Sequence, residues 1–312
     1  MAKVNSVSVA ADGAIWCITA DGRLHQWAGN QWRADPGPAH PIVEVSVASR
    51  LQAYCRDSQG NVFVKTDAPP HVPAGWLDDN RVHDPFGRGI RAIAATSDGM
   101  IWVVTRQGVP TFNAMGGNPV PHASDAIDIS AGNHDHAVYI NDDRLLMLLQ
   151  RNGVQAAWVR IASPVEPSNE LEVRIQSVGL GADGVMWATD TRDFIYRRNP
   201  TGSWRRNDKL KAKQIAVGSK DHVYCVNDAG ELFRAENGND GMTGWQRIVR
   251  PGTAMHTVTV QPGDSLSGII SRLCDGLTHD QLMAKVREVA ALNNLPNPDL
   301  IHPGNTLLIP AC

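Results

Sequence analysis

No stretch of this 312-residue chain approaches the ~18 consecutive apolar residues of a membrane helix, and its start, MAKVNSVSVAADG, lacks an apolar signal core. These absences predict a soluble protein made in the cytoplasm, without membrane insertion, that reaches any outside target by a signal-independent route. Charge is sparse and balanced: 20% of residues are charged and the formal net charge is −3. That leaves no electrostatic case for nucleic acid or anionic lipid as a partner. There is no nucleophile motif, phosphate loop or HExxH helix, so neither catalysis nor a cofactor is expected. His134 and His136 would share one face of a strand, but two ligands do not make a metal site, and a surface turn is the better reading. The acidic pairs Asp78–Asp79 and Asp142–Asp143 fall in turn-rich sequence, where solvated carboxylates are the rule. Tryptophan is missing beyond residue 250, although nine precede it.

What is present before residue 250 is a repeat. Val7, Val45, Ile93, Ile129, Val178 and Ile215 open six units separated by 38, 48, 36, 49 and 37 residues. Every second unit is nearly equidistant, at 86, 84, 85 and 86 residues, so the true period is a double unit used three times. Such periods signal a stacked or closed array. Nine residues after the anchor, odd units place a tryptophan behind a turn: DGAIW ending at Trp16, DGMIW at Trp102 and DGVMW at Trp187. Even units place Tyr54 and Tyr224 there, but Tyr139 comes ten residues after Ile129. A one-residue slip turns the ring to the opposite face unless a bulge absorbs it. A bulge or an odd blade is therefore expected in the fourth unit.

Asp-Gly and related pairs at residues 12–13, 21–22, 59–60, 98–99, 183–184 and 229–230 separate short apolar runs. This is the cadence of β-hairpins. Six antiparallel units of this size fit one blade each of a six-bladed propeller. A second tryptophan closes most units, at Trp32, Trp76, Trp158, Trp204 and Trp245, with GGNPVPH in its place in the third. Cys17, Cys55 and Cys225 each follow the Trp or Tyr position. On neighbouring blades they would sit about 8 to 10 Å apart, beyond disulfide reach. They read as reduced core thiols, with Cys274 and Cys312 as single free residues, which suits a reducing compartment.

The repeated V-S-V, D-G-x-[IM]-W, second turn and closing tryptophan resemble the tectonin repeat of six-bladed lectin-like propellers, over residues 1–250. The resemblance implies a lectin-like scaffold, in some members for modified bacterial surface glycans. Trp16, Trp102 and Trp187 offer flat rings for stacking on sugar faces, although their place inside apolar strands points to burial. Trp27 has no counterpart in the other units and is the more interesting stacking candidate.

After a linker at 251–255, residues 256–312 read differently. HTVTVQPGDSLSGIISRL is a strand, a Pro-Gly turn, an aspartate placed to cap a helix and an amphipathic helix; HDQLMAKVREVAALNNL is a second helix; NPDLIHPGNTLLIP returns to a strand. This small α+β module of order βααβ resembles the LysM domain, with VQPGDSLSGI and NPDLIHPGNTLLIP carrying the match. The segment from Cys274 to Lys285 is longer than in a compact LysM. The resemblance implies binding of N-acetylglucosamine polymers, peptidoglycan or chitin, in a shallow groove. Its sides would be Gly263, Asp264, Ser265 and Leu266 on one hand, and Asn297, Pro298, Asp299, Leu300 and Ile301 on the other. Each also has a structural reading as turn, cap or core. Two readings of function follow. One is a non-enzymatic carbohydrate-binding protein; the other is a structural or adaptor protein of a phage tail, contractile injection or secretion system, in which both modules contact protein partners.

Overall fold

The structure, a computed structural model, describes residues 2–29, 31–66, 75–79, 89–113, 125–152, 155–166, 171–236, 242 and 244–311. Six antiparallel sheets follow one another along the chain, and in each the strands pair in sequence order. Five have four strands; the third has Ile90–Ala95, Ile101–Thr105 and Pro110–Asn113 among the described residues. The GGNPVPH segment of that unit lies outside the described residues. The sheets are the blades of a six-bladed propeller. All six paired turn sites carry their glycine in the left-handed region, from φ 72° at Gly230 to φ 92° at Gly60. Only glycine adopts that conformation freely, so the hairpins are set by sequence.

The double-unit period has a packing cause. Trp16, Trp102 and Trp187 point from an odd blade into the junction with the next even blade. There each meets that blade's closing tryptophan edge-on: Trp16 with Trp76 at 5.7 Å, Trp102 with Trp158 at 5.5 Å, Trp187 with Trp245 at 5.9 Å. The closing tryptophans of odd blades face the other way, onto the preceding even blade. Trp204 Nε1 donates to the Ala162 carbonyl at 2.7 Å, and Trp32 Nε1 donates to the Val249 carbonyl. Odd-to-even junctions are thus filled by ring pairs, and two of the three even-to-odd junctions are pinned by an indole hydrogen bond; between the second and third blades the Tyr54 hydroxyl donates to the Gly99 carbonyl at 2.8 Å instead.

In the fourth blade Val138 pairs with Ser130, as Tyr54 pairs with Ser46 in the second. Tyr139 consequently takes the slot of Cys55, turns to the opposite face and packs 4.8 Å from Trp158 of its own blade. The register shifts of this blade match those of the second, so the slip is taken up by the flipped ring and not by an extra bulge. His134 and Asp135 form the turn just before strand His136–Asn141, so the two histidines do not share a strand face. His134 instead bridges Asp98 at 2.6 Å and Asp135 at 2.9 Å.

The first strand of each blade lines the central channel and, as a sheet edge, exposes N–H groups that need acceptors. The serine of the V-S-V pattern supplies them to the next blade. Ser8 accepts from Val47 N at 3.1 Å, Ser46 from Ala95 N at 2.7 Å and, at the same position of the fourth blade, Ser130 from Leu180 N at 2.9 Å; two residues earlier in their strands, Glu44 accepts from Ile93 N at 3.0 Å and Ser177 from Ile215 N at 3.3 Å. Gln214 closes the circle by accepting from Val7 N at 2.9 Å. The ring closes by face-to-face packing of the first and sixth blades, because strand Val4–Val9 pairs within its own sheet. Gly218 makes the approach possible: a Cβ there would lie 2.1 Å from the Ala10 carbonyl oxygen.

The C-terminal module pairs strand Met255–Thr259 with Thr306–Pro310 and packs α1 (Leu266–Leu273) and α2 (His279–Leu292) around one core. The lengthened segment holds the turn after α1 and the first half of α2. The same helix rests on the last strand of the sixth blade, where Gln246 Nε2 donates to the Arg287 carbonyl at 3.2 Å. Cys17, Cys55 and Cys225 are free, buried thiols whose pKa burial raises. Cys274 departs from expectation: it is disulfide-bonded. The expectation for Cys312 falls outside the described residues.

Two measurements check this description. Thiol titration of the oxidised, denatured chain should find three free thiols, and all five after reduction. In the channel, burial pushes the Asp128 carboxyl up to about 7, and the Glu44 charge adds to the shift. The folded state therefore keeps a proton that the unfolded chain loses near pH ~4, so stability should fall as pH rises from about 4 through about 7. Melting curves should show Asp128→Asn gaining stability over wild type progressively as pH rises from ~4 to ~8.

Candidate functional site

The pairing of Thr259 with Thr306 sets the loop before α1 and the loop after α2 at the same end of the small sheet. Val260 N donates to the Asn305 carbonyl and Gly304 N to the Val260 carbonyl, both at 2.9 Å, which fixes how the loops diverge. Sequence puts an aspartate at the head of α1, but the cap is Ser265, whose Oγ accepts from Gly268 N at 3.1 Å. Asp264 instead locks the loop: Oδ1 accepts from Arg272 at 2.6 Å and Oδ2 from Gln261 N at 2.8 Å. The Arg272 hydrogen bond, followed by that of Gln261, holds its carboxyl below the usual range. Gly263, at φ 87°, has open space around it at the loop tip.

The second loop begins with a residue the sequence reading passed over. Asn293 caps α2, and its amide donates to the Val289 and Leu308 carbonyls while its Oδ1 accepts from Leu308 N, all at 2.8 Å. One side chain thus stitches the helix end to the last strand. A polar residue at a helix end followed by another asparagine at φ 53° was the available signal. Asn297 then accepts from Asp299 N at 2.9 Å and turns the chain. This leaves Asp299 exposed and Leu300 with 61% of its surface open.

The nine groove candidates separate by what they touch. Leu266, 2% exposed, is core, and Ile301 packs against that core from the side. Asp264 and Ser265 shape the first loop. Gly263, Asn297, Pro298, Asp299 and Leu300 provide its accessible lip, a mix of backbone, amide, carboxylate and apolar surface. In the propeller, Trp16, Trp102 and Trp187 are 2%, 0% and 1% exposed. Their rings are closed to a sugar, because the blade junctions need them. Trp27 remains half-exposed at the outer edge of the first blade. Among the described residues there is no group of three or more His, Cys, Asp or Glu side chains arranged to hold a metal, and no helix long and apolar enough to cross a membrane.

Residues 125–269 match the family model of the Tectonin domain, and residues 258–310 that of the LysM domain. The blades before residue 125 repeat the same geometry. A comparison with curated proteins finds no match. Among solved structures, YCF48 from Cyanidioschyzon merolae is similar at 15% identity over 83% of this chain and 90% of that one, with a TM-score of 0.51. The structure of Kap60 bound to yeast RCC1 is similar at 14% identity over 74% and 69%, with a TM-score of 0.50. Likeness at this identity concerns the fold alone.

Two leucines test the separation of core from lip. Leu266→Ala should cost about 2–5 kcal/mol of C-terminal-module stability by chemical denaturation. Leu300→Ala should change it by less than about 0.5 kcal/mol.

Proposed function

We propose, from a chain that carries a tectonin domain and a LysM domain, that this protein is a non-enzymatic carbohydrate-binding protein. Both are binding modules. The LysM domain, which we bound at residues 256–312 after a linker at 251–255 and the propeller at 1–250, takes N-acetylglucosamine polymers, peptidoglycan or chitin. The propeller is a rigid lectin-like recognition scaffold beside it. The observation that carries this reading is the accessible lip of Gly263, Asn297, Pro298, Asp299 and Leu300, built on loops whose other polar groups are already satisfied within the fold. A site pre-shaped in this way spends little binding energy on ordering itself.

The Cys274 disulfide favours action in an oxidising compartment, in contrast to the reducing one read from sequence. The propeller thiols are compatible with it, since all three are buried with raised pKa and so are poor nucleophiles.

Sedimentation with insoluble peptidoglycan and chitin tests the reading. Wild type should co-sediment with at least one of them and be released by soluble N-acetylglucosamine oligomers, while Leu300→Ala should bind several-fold more weakly. A chain that ignores both polymers yet holds a stable protein complex at high salt would support the adaptor reading instead.

A further inference from the structure

Trp27 is the one tryptophan of the propeller that neither fills a blade junction by pairing with a neighbouring blade's ring nor ties one blade to the next through its N–H. It sits in strand Leu24–Ala28, opposite Trp32, and meets that ring edge-on at 5.1 Å. Trp32 spends its N–H on Val249, whereas the indole N–H of Trp27 donates no hydrogen bond among the described residues. Its ring lines a cavity of about 150 Å³ between the sixth and first blades and α2 of the LysM domain. A cavity of that size holds one six-membered ring.

The walls of this cavity have the mixture a sugar needs. Trp27 and Tyr224 supply aromatic surface. Arg234 lines it as well, its guanidinium anchored by an Nη2 hydrogen bond to the Asp221 carbonyl at 3.4 Å. From α2 come Glu288, whose Oε2 pairs with Lys285 at 3.0 Å, and, just past the helix, Asn294, whose side-chain amide is unbonded among the described residues. The position of Asn294 matters most. It lies three residues before Asn297, where the exposed lip of the LysM loop begins, and three residues span at most ~10 Å. The same short loop therefore borders the lip at one end and the cavity at the other.

We propose that Trp27, Arg234 and Asn294 form an additional sugar subsite, supplied jointly by the propeller and the LysM domain, for a residue of the same N-acetylglucosamine polymer that the LysM groove holds. This rests on the groove reading given above. The indole stacks on the apolar face of the pyranose, and the Arg234 and Asn294 N–H groups donate to its hydroxyl or acetamido oxygens. Docking of α2 on the sixth blade completes the site, so the two domains together read a longer stretch of polymer than the LysM reads alone.

Calorimetric titration of the full chain with N-acetylglucosamine oligomers from dimer to hexamer tests it. Wild-type affinity should keep rising with length after that of Trp27→Ala has levelled off, with about a tenfold deficit for the variant on the hexamer and none on the dimer. Trp27→Phe should retain most of the gain. Asn294→Gly, which keeps the left-handed turn, should lose part of it and serves if Trp27→Ala fails to fold. Leu300→Ala should weaken every length alike. Identical length profiles for wild type, folded Trp27→Ala and Asn294→Gly would overturn the subsite while leaving the groove intact. An equal loss at all lengths in Trp27→Ala would overturn it as well, by making Trp27 structural. Absence of binding at every length in wild type would remove the groove reading and the subsite together.

Discussion

Everything in the propeller depends on filling wedges. Adjacent blades are twisted sheets that nearly touch at the channel and diverge outward, so each junction demands small groups inside and large ones outside. At the inner end backbones approach so closely that a Cβ on Gly132 would lie 2.2 Å from the Gly181 carbonyl oxygen, and serine recurs there as an acceptor between blades. Large rings fill the wider part, tryptophan at five junctions and Tyr54 between the second and third blades, with about 150–250 Å² to bury per ring. The alternation of tryptophan pairs with single rings held by an indole or hydroxyl hydrogen bond at successive junctions is why the sequence repeats every two blades. It also closes the three odd-blade tryptophans to any ligand: their rings are occupied by structure.

The period, the hairpin turns and the βααβ module were legible because each rests on local chemistry: glycine at positive φ, alternating apolar runs, and a cap before an amphipathic helix. The flip of Tyr139 was visible as a spacing error, although its outcome depended on whether the strand bulged, which is a matter of register with its neighbour. The role of the V-S-V serines was hidden, because the N–H each one satisfies belongs to a strand 39 to 50 residues away on the next blade. Cys274 was misread for a related reason. Disulfide partners are chosen by tertiary proximity, and an odd number of cysteines says only that one must remain over. At the candidate site, composition could not distinguish Leu266 from Leu300. One points into the core from the first turn of α1, and the other is turned outward by the Asn297 hydrogen bond.

The two domains share a division of labour between rigidity and access. The LysM loops are held by Asp264, Arg272 and Asn293 through hydrogen bonds that leave the lip itself uncommitted. The propeller supplies a stiff wall against which α2 is set, with cavities of about 330 Å³ and 150 Å³ on its two sides. A small contact between domains ordinarily allows relative motion. Here the hydrogen bond from Gln246 to the helix backbone and the short connection after Ile248 limit how far α2 can swing.

The central claim is that the LysM domain of this chain recognises an N-acetylglucosamine polymer through the two loops at one end of its small sheet. An amide-resolved NMR titration of the isotope-labelled full chain with an N-acetylglucosamine oligomer tests it most directly. The account predicts saturable shifts concentrated at residues 263–265 and 297–301, with the blade-junction tryptophan indole signals unmoved. Saturable shifts confined to the propeller, or none with any oligomer, would contradict it.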